Sequence, residues 1–261
     1  MKISIIGAGA MGGAFAEGLL KVSDNNAADI TVANPTQSKL QRFGEAGINV
    51  TTDNKTAAKG SDIVVVAVKP WLVESVIDEI KDVLNYHRQI LLVFAAGINS
   101  EQLKVWLRKK DAILPCFLVI PNIAIAHRAS MTFITPVDAT PSHTALVKTM
   151  FDNLGDSIVV EERLLNAGTV LASCGIAYAM RYVRAASEGG IELGFKAHDA
   201  QQIVLQTMKG AVKLLQQSGN HPEVEIDKVT TAGGMTIKGL NEMENAGFTS
   251  AVIRGLKAGM K

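Results

Sequence analysis

Apolar residues follow two rhythms along this chain, and the rhythm changes near Glu161. Before that point, short continuous apolar runs alternate with stretches in which apolar residues recur every three or four positions. The runs read as buried strands and the stretches as amphipathic helices. Strands are predicted at 2–6, 29–33, 48–51, 63–68, 89–95, 113–120, 131–135 and 157–160. Helices are predicted after the first strand and at 35–46, 53–59, 71–84 and 142–154, with another capped by Ser100 and carrying Leu103, Val105 and Leu107. Trp71, Val76, Ile80 and Val83 are expected to face inward. The run IVVVAV suits a central strand covered on both faces. Such alternation predicts a parallel sheet with right-handed crossovers. Beyond Glu161 strand patterns vanish. Ala167, Val170, Leu171, Cys174 and Tyr178 share one helical face, and Val204, Met208, Ala211 and Leu215 another. SGNHP (218–222) is a break, and further helices are expected from near Gly233 and near Thr249. Small residues such as Ala185, Ala186, Gly189 and Gly190 permit close helix approach. The chain thus divides into an α/β domain, 1–160, and an all-helical domain, 161–261, suited to dimerisation.

Gly7, Gly9 and Gly12 have the spacing G-x-G-x-x-G between the first strand and the first helix. That context makes the motif a dinucleotide fingerprint, and the first domain a Rossmann domain. Gly7 allows a tight turn, Gly9 lets backbone approach a pyrophosphate, and Gly12 lets helix and strand pack closely. NAD-preferring sites place a carboxylate at the end of the second strand. Here that end reads Asn34, Pro35, Thr36, Gln37, Ser38. Thr36 and Ser38 can donate hydrogen bonds and Lys39 supplies charge, so NADP(H) is expected, although the strand end has no arginine. Lys69, beside Pro70, stands at a strand's carboxyl end, where such sheets bind ligands.

Composition adds three points. Counting the 23 glycines, the apolar share is roughly 57%, above the usual ~45–50%, which suggests a surface hidden by another subunit. The formal net charge is +1 with no polybasic run, so no nucleic-acid partner is expected. Cys116 and Cys174 lack metal-ligand spacing, so no metal is expected and a reducing, cytoplasmic setting is. No apolar run reaches about 18 residues, so no membrane span is expected.

A second informative stretch is VTTAGGMTIKGLNEME (229–244). Gly233 and Gly234 open a helix whose first amides, on Gly234, Met235 and Thr236, are free to hold a carboxylate, with the Thr236 hydroxyl beside them. Ordinary capping by Thr230, Thr231 or Thr236 is the alternative. Asn54 could cap its short helix, Asn122 could satisfy local backbone, and Glu162 could favour a helix start.

The pieces GAGAMG (7–12), AVKP (67–70), AAGI (95–98), PN (121–122) and SGNHP with DKVTTAGGMTIKGL resemble pyrroline-5-carboxylate reductases, over essentially the full length. The resemblance implies a Rossmann domain joined to a helical domain that dimerises by interleaving helices, with dimers assembling further. It implies reduction of 1-pyrroline-5-carboxylate to L-proline by NADPH or NADH, the last step of proline biosynthesis. Cofactor contacts carried over are Gly7, Ala8, Gly9, Ala10, Met11, Gly12, Asn34, Asn54, Ala67, Val68, Lys69, Pro70, Ala95, Ala96 and Gly97. On the substrate side they are Asn122, Glu162, Gly234, Met235 and Thr236, with Thr236 hydrogen-bonding the ring nitrogen. The family's MPNTP reads IPNIA here (120–124), its SGSGPAY reads ASCGIAY (172–178), and its SPGGTT reads TAGGMT (231–236). These departures leave open a related imine or hydroxy-acid oxidoreductase, or a non-catalytic dinucleotide-binding relative.

Overall fold

The computed structural model describes residues 1–94, 96–109 and 112–260. The first half runs β1 (Ile3–Ile6), α1 (Ala10–Leu19), β2 (Ile30–Ala33), α2 (Gln41–Glu45), β3 (Asn49–Thr51), α3 (Asn54–Ala58), β4 (Ile63–Val66), α4 (Val73–Ile80), β5 (Ile90–Val93) and α5 (Ser100–Trp106). Then come β6 (Cys116–Ile120), β7 (Ser130–Val137), α6 (Pro141–Asp152) and β8 (Gly155–Val159). The strands form one eight-stranded sheet in the order β3-β2-β1-β4-β5-β6-β7-β8.

The expectation of a wholly parallel sheet is corrected at its far side. β7 runs antiparallel to β6, and β8 follows β7 in parallel. A helical crossover would be needed to bring β7 back parallel. Instead a single 3-10 turn, Ile123–His127, joins the two strands and ends on Arg128 in the left-handed conformation, φ 57°.

Alternate strand residues feed two cores, as the pleat requires. Ile3, Ile5 and Val65 face α1 and α6, where Phe15 and Phe151 meet Phe94 with ring centroids 5.1 and 5.9 Å away. Ile6, Val64 and Val66 face α3, α4 and α5.

Several expectations shift when the turns are seen. Pro70–Leu72 forms a 3-10 turn, so α4 begins only at Val73 and its buried stripe is Val73, Val76, Ile77 and Ile80. That register leaves Trp71 76% exposed, not inward. Asn99, not Ser100, caps α5: its Oδ1 accepts from Gln102 N, and Gln102 Oε1 accepts from Asn99 N. Val105 lies on the exposed side of α5. The helix expected over 35–46 is broken into a 3-10 turn, Gln37–Lys39, and the short α2.

The second half runs α7 (Leu165–Gly168), α8 (Gly175–Glu192), α9 (Ala197–Ser218), α10 (Pro222–Lys228), α11 (Met235–Asn245) and α12 (Phe248–Ala258). α10 lay hidden in the break at 218–222: Pro222 is its first residue, where a missing N–H costs nothing, and His221 caps it. Between α7 and α8 the chain is π-helical over Thr169–Cys174. Two compact units result, Met1–Ser173 and Cys174–Lys261. Residues 162–173 belong to the first because Leu165 joins its core and the Ser173 hydroxyl donates to Pro121 O at 2.9 Å. In the second unit Gly190 of α8 leaves just enough room for Ala200 of α9. Among the described residues, no helix is long and apolar enough to cross a membrane.

Candidate functional site

The carboxyl ends of β1 and β4 meet under the glycine turn. Gly7 holds φ 111°, and a methyl group there would collide with the Ala67 carbonyl. One on Gly12 would collide with the Gly7 carbonyl oxygen. Above Gly9 there is open space. α1 starts at Ala10, with Met11 half-buried behind it, no side-chain cap and no acidic residue in its first turn. Its first amides and dipole are therefore free for an anion.

Asn34 is buried and already engaged. Its Oδ1 accepts from Ala8 N and its Nδ2 donates to Thr36 O, both at 3.2 Å. It fastens the end of β2 to the glycine turn rather than reaching outward. Beyond it opens a cleft of about 430 Å³ between Ala8, Gly9 and Ala10 on one side and Ser38, Lys39 and Arg42 on the other. Ser38 and Gln41 also line a neighbouring space of about 760 Å³ with Val50, Thr51 and Thr52. Free helix amides beside a cleft with two cations and no strand-end carboxylate fit the diphosphate and phosphorylated ribose of NADP(H). The strand end lacks an arginine, but Arg42 of α2 reaches the same cleft. The sequence reading missed it, and its only signal was a cation one helical turn past Ser38.

Other cofactor-side positions differ in their surroundings. Ala67 and Val68 lie against Gly7, Lys69 is exposed, and Pro70 opens the turn into α4. Ala96 and Gly97 are exposed in the turn after β5, and Ala95 lies outside the described residues. Asn54 does not cap α3, because Asp53 does. Asn54 Nδ2 donates to Glu79 Oε2 at 2.8 Å, and its Oδ1 is buried without a partner among the described residues.

Asn122 is buried and caps the 3-10 turn after β6 by accepting from Ala124 N at 3.0 Å. Glu162 Oε1 accepts from Ser100 N at 3.0 Å, neutralising the start of α5. The thiol of Cys116 is pushed up to about 12 by burial, so it stays protonated.

In the second unit, Gly234 precedes α11 without a side-chain cap. The sequence pattern predicts a free Gly234 amide, and the structure corrects this: that amide donates to Thr231 O at 3.0 Å. The turn that makes this bond uses Gly233 at φ 70°. The amides of Met235 and Thr236 open the helix, and the Met235 side chain is 91% exposed.

Residues 162–261 match the family model for pyrroline-5-carboxylate reductase dimerisation, and residues 2–96 that for NADP oxidoreductase, coenzyme F420-dependent. Pyrroline-5-carboxylate reductase 2 of Dictyostelium discoideum is 33% identical over 98% of this chain and 89% of its own length. The chain belongs to the pyrroline-5-carboxylate reductase family. The reductase of Aquifex aeolicus (strain VF5) is 33% identical, over 97% of this chain and 92% of that protein. Pyrroline-5-carboxylate reductase 1 of D. discoideum is 37% identical over 97% of this chain, which spans about half (48%) of that relative's length. Among solved structures, the pyrroline-5-carboxylate reductase of Coxiella burnetii superposes with TM-score 0.88 at 26% identity, covering 99% of this chain and 96% of that one. As a member of the pyrroline-5-carboxylate reductase family, the chain is an NAD(P)H-dependent oxidoreductase with NADPH as cofactor and a dimerisation domain at 162–261.

Proposed function

We propose that this chain reduces 1-pyrroline-5-carboxylate to L-proline with NADPH, the last step of proline biosynthesis. The observation that carries the reading is the uncapped start of α11 in the run TAGGMT, in a chain that also has an open glycine turn. When bound, NADPH supplies a hydride to the imine carbon. A protonated imine is already electrophilic, so the protein's task is placement. The amides of Met235 and Thr236 hold the substrate carboxylate at the helix start. The Thr236 hydroxyl oxygen accepts from the protonated ring nitrogen, fixing which face of the ring is presented. The proton remains on nitrogen as the C=N π electrons become its lone pair, giving the neutral amine. Asn122 and Glu162 act at one remove, because their side chains already hold the loops they cap.

In this reading residues 1–160 carry the nucleotide, residues 161–261 form the assembly surface, and the enzyme works in the cytoplasm as a homodimer or a multiple of one. The test is NADPH oxidation, followed by absorbance, when the imine acid is added to purified protein. Turnover faster with NADPH than with NADH supports the reading. No turnover at saturating imine acid overturns it.

A further inference from the structure

Arg42 has more geometry around it than a solvated surface cation needs. Its guanidinium lies over the first turn of α1 at Gly13, so close that a methyl group on Gly13 would strike Nη2. Nη1 pairs with Glu17 Oε1 at 2.8 Å one turn further along α1, and the Arg42 guanidinium carbon stands 4.5 Å from the Phe43 ring centroid. Glycine at position 13, a carboxylate at 17 and an aromatic ring thus hold one cation at the mouth of the cleft beside the glycine turn. Ser38 and Lys39, just before Arg42 on the same chain segment, line the same cleft opposite Ala8, Gly9 and Ala10. The cleft's own carboxylate, Glu45, accepts from Gln41 Nε2 at 2.9 Å.

We infer that Arg42 is the residue by which this enzyme tells NADPH from NADH, its guanidinium taking the 2′-phosphate of the adenosine ribose together with Lys39 and Ser38. Glu17 is a positioning residue that keeps the fork over Gly13. The inference rests on the NADPH-dependent reading given above. Its physical basis is that a guanidinium offers paired donors to a phosphate, and a hydrogen bond between two charged groups is about twice as strong as a neutral one. A nucleotide lacking the 2′-phosphate gains nothing from it.

The test is calorimetric binding of adenosine 2′,5′-bisphosphate and of adenosine 5′-monophosphate to the full-length protein. Wild type binds the bisphosphate more tightly. Arg42→Met loses about tenfold to a hundredfold of that preference, keeps its affinity for NADH, and keeps its Tm within a degree or two. Arg42→Lys retains part of the preference, because the charge remains and the fork is lost. Undiminished preference in Arg42→Met, with loss in Lys39→Met, overturns the assignment of Arg42. Equal binding of both nucleotides by wild type overturns the NADPH reading itself, which separates the two failures.

Discussion

Gly12 stands so near the Gly7 carbonyl that the turn and the helix can approach only through a bare Cα. Gly12→Ala is expected to push α1 away from β1 and to cost about 1–3 kcal/mol of stability. NADPH affinity should fall with it, since the amides that receive the diphosphate move too. Fluorescence titration with NADPH and a thermal melt check both. A second residue-scale expectation concerns acid. Asp62 accepts from Lys2 N at 2.8 Å and from the Arg88 guanidinium at 2.7 Å. These hydrogen bonds hold its carboxyl below the ordinary aspartate range. Its folded value is thus lower than its unfolded one, so its stabilisation is present above the ordinary aspartate range and is lost as pH falls through the folded value. Asp62→Asn should lower Tm at neutral pH by more than it does near pH 3. Equal deficits at both pH values would remove Asp62 from the acid response.

Among the elements, α11 carries the sharpest functional expectation. Thr236 sits in its first turn, with its amide at the helix start. Thr236→Ala keeps the amide and removes the hydroxyl. kcat should fall about tenfold or more, while the Kd for NADPH, measured by fluorescence, stays unchanged. Elements were also the scale most legible in the sequence. β1, β4 and β5 were readable because they are short unbroken apolar runs, and the glycine turn because its spacing has one steric meaning. What stayed hidden depends on contacts between distant positions. The reversal at β7 is decided by a 3-10 turn whose sequence, IAIAH, carries no Gly or Pro. Trp71 faces outward because a one-turn prelude resets the register of α4. Arg42 escaped notice because its relation to the cleft runs through α2 and Gly13 rather than through distance from the strand end. The local backbone bond of Asn122 was among the readings its sequence offered, but the engagements of Asn34 with Ala8 and of Glu162 with Ser100 were invisible, since a distant partner is not written beside a polar residue.

At the scale of the molecule, the two units differ in how much they bury. The first has two layered cores. Among the described residues of the second, only Ser187 and Ala200 are buried. α9 carries an unusually wide apolar arc opposite a polar stripe that includes Gln202, Gln206, Lys209 and Lys213: Val204, Met208 and Leu215 are half-buried, while Leu205, Val212, Ile203 and Leu214 lie roughly half exposed on flanking sides. An apolar arc wider than one neighbouring helix can cover needs a second covering surface, and the matched dimerisation domain says what supplies it. Leu205 (49% exposed) and Val212 (52%) share one face of α9. The double change Leu205→Glu with Val212→Glu should give a smaller species by light scattering and abolish the rise of Tm with protein concentration expected of wild type. A dimer surviving that change would place the interface elsewhere. Because the helical half owns so little shelter, a freshly made chain is vulnerable until it meets another. In a cell with active proteases, solitary copies would be cleared before they paired. The standing amount of enzyme would then climb more steeply than its rate of synthesis, and scarce expression would leave almost none at all.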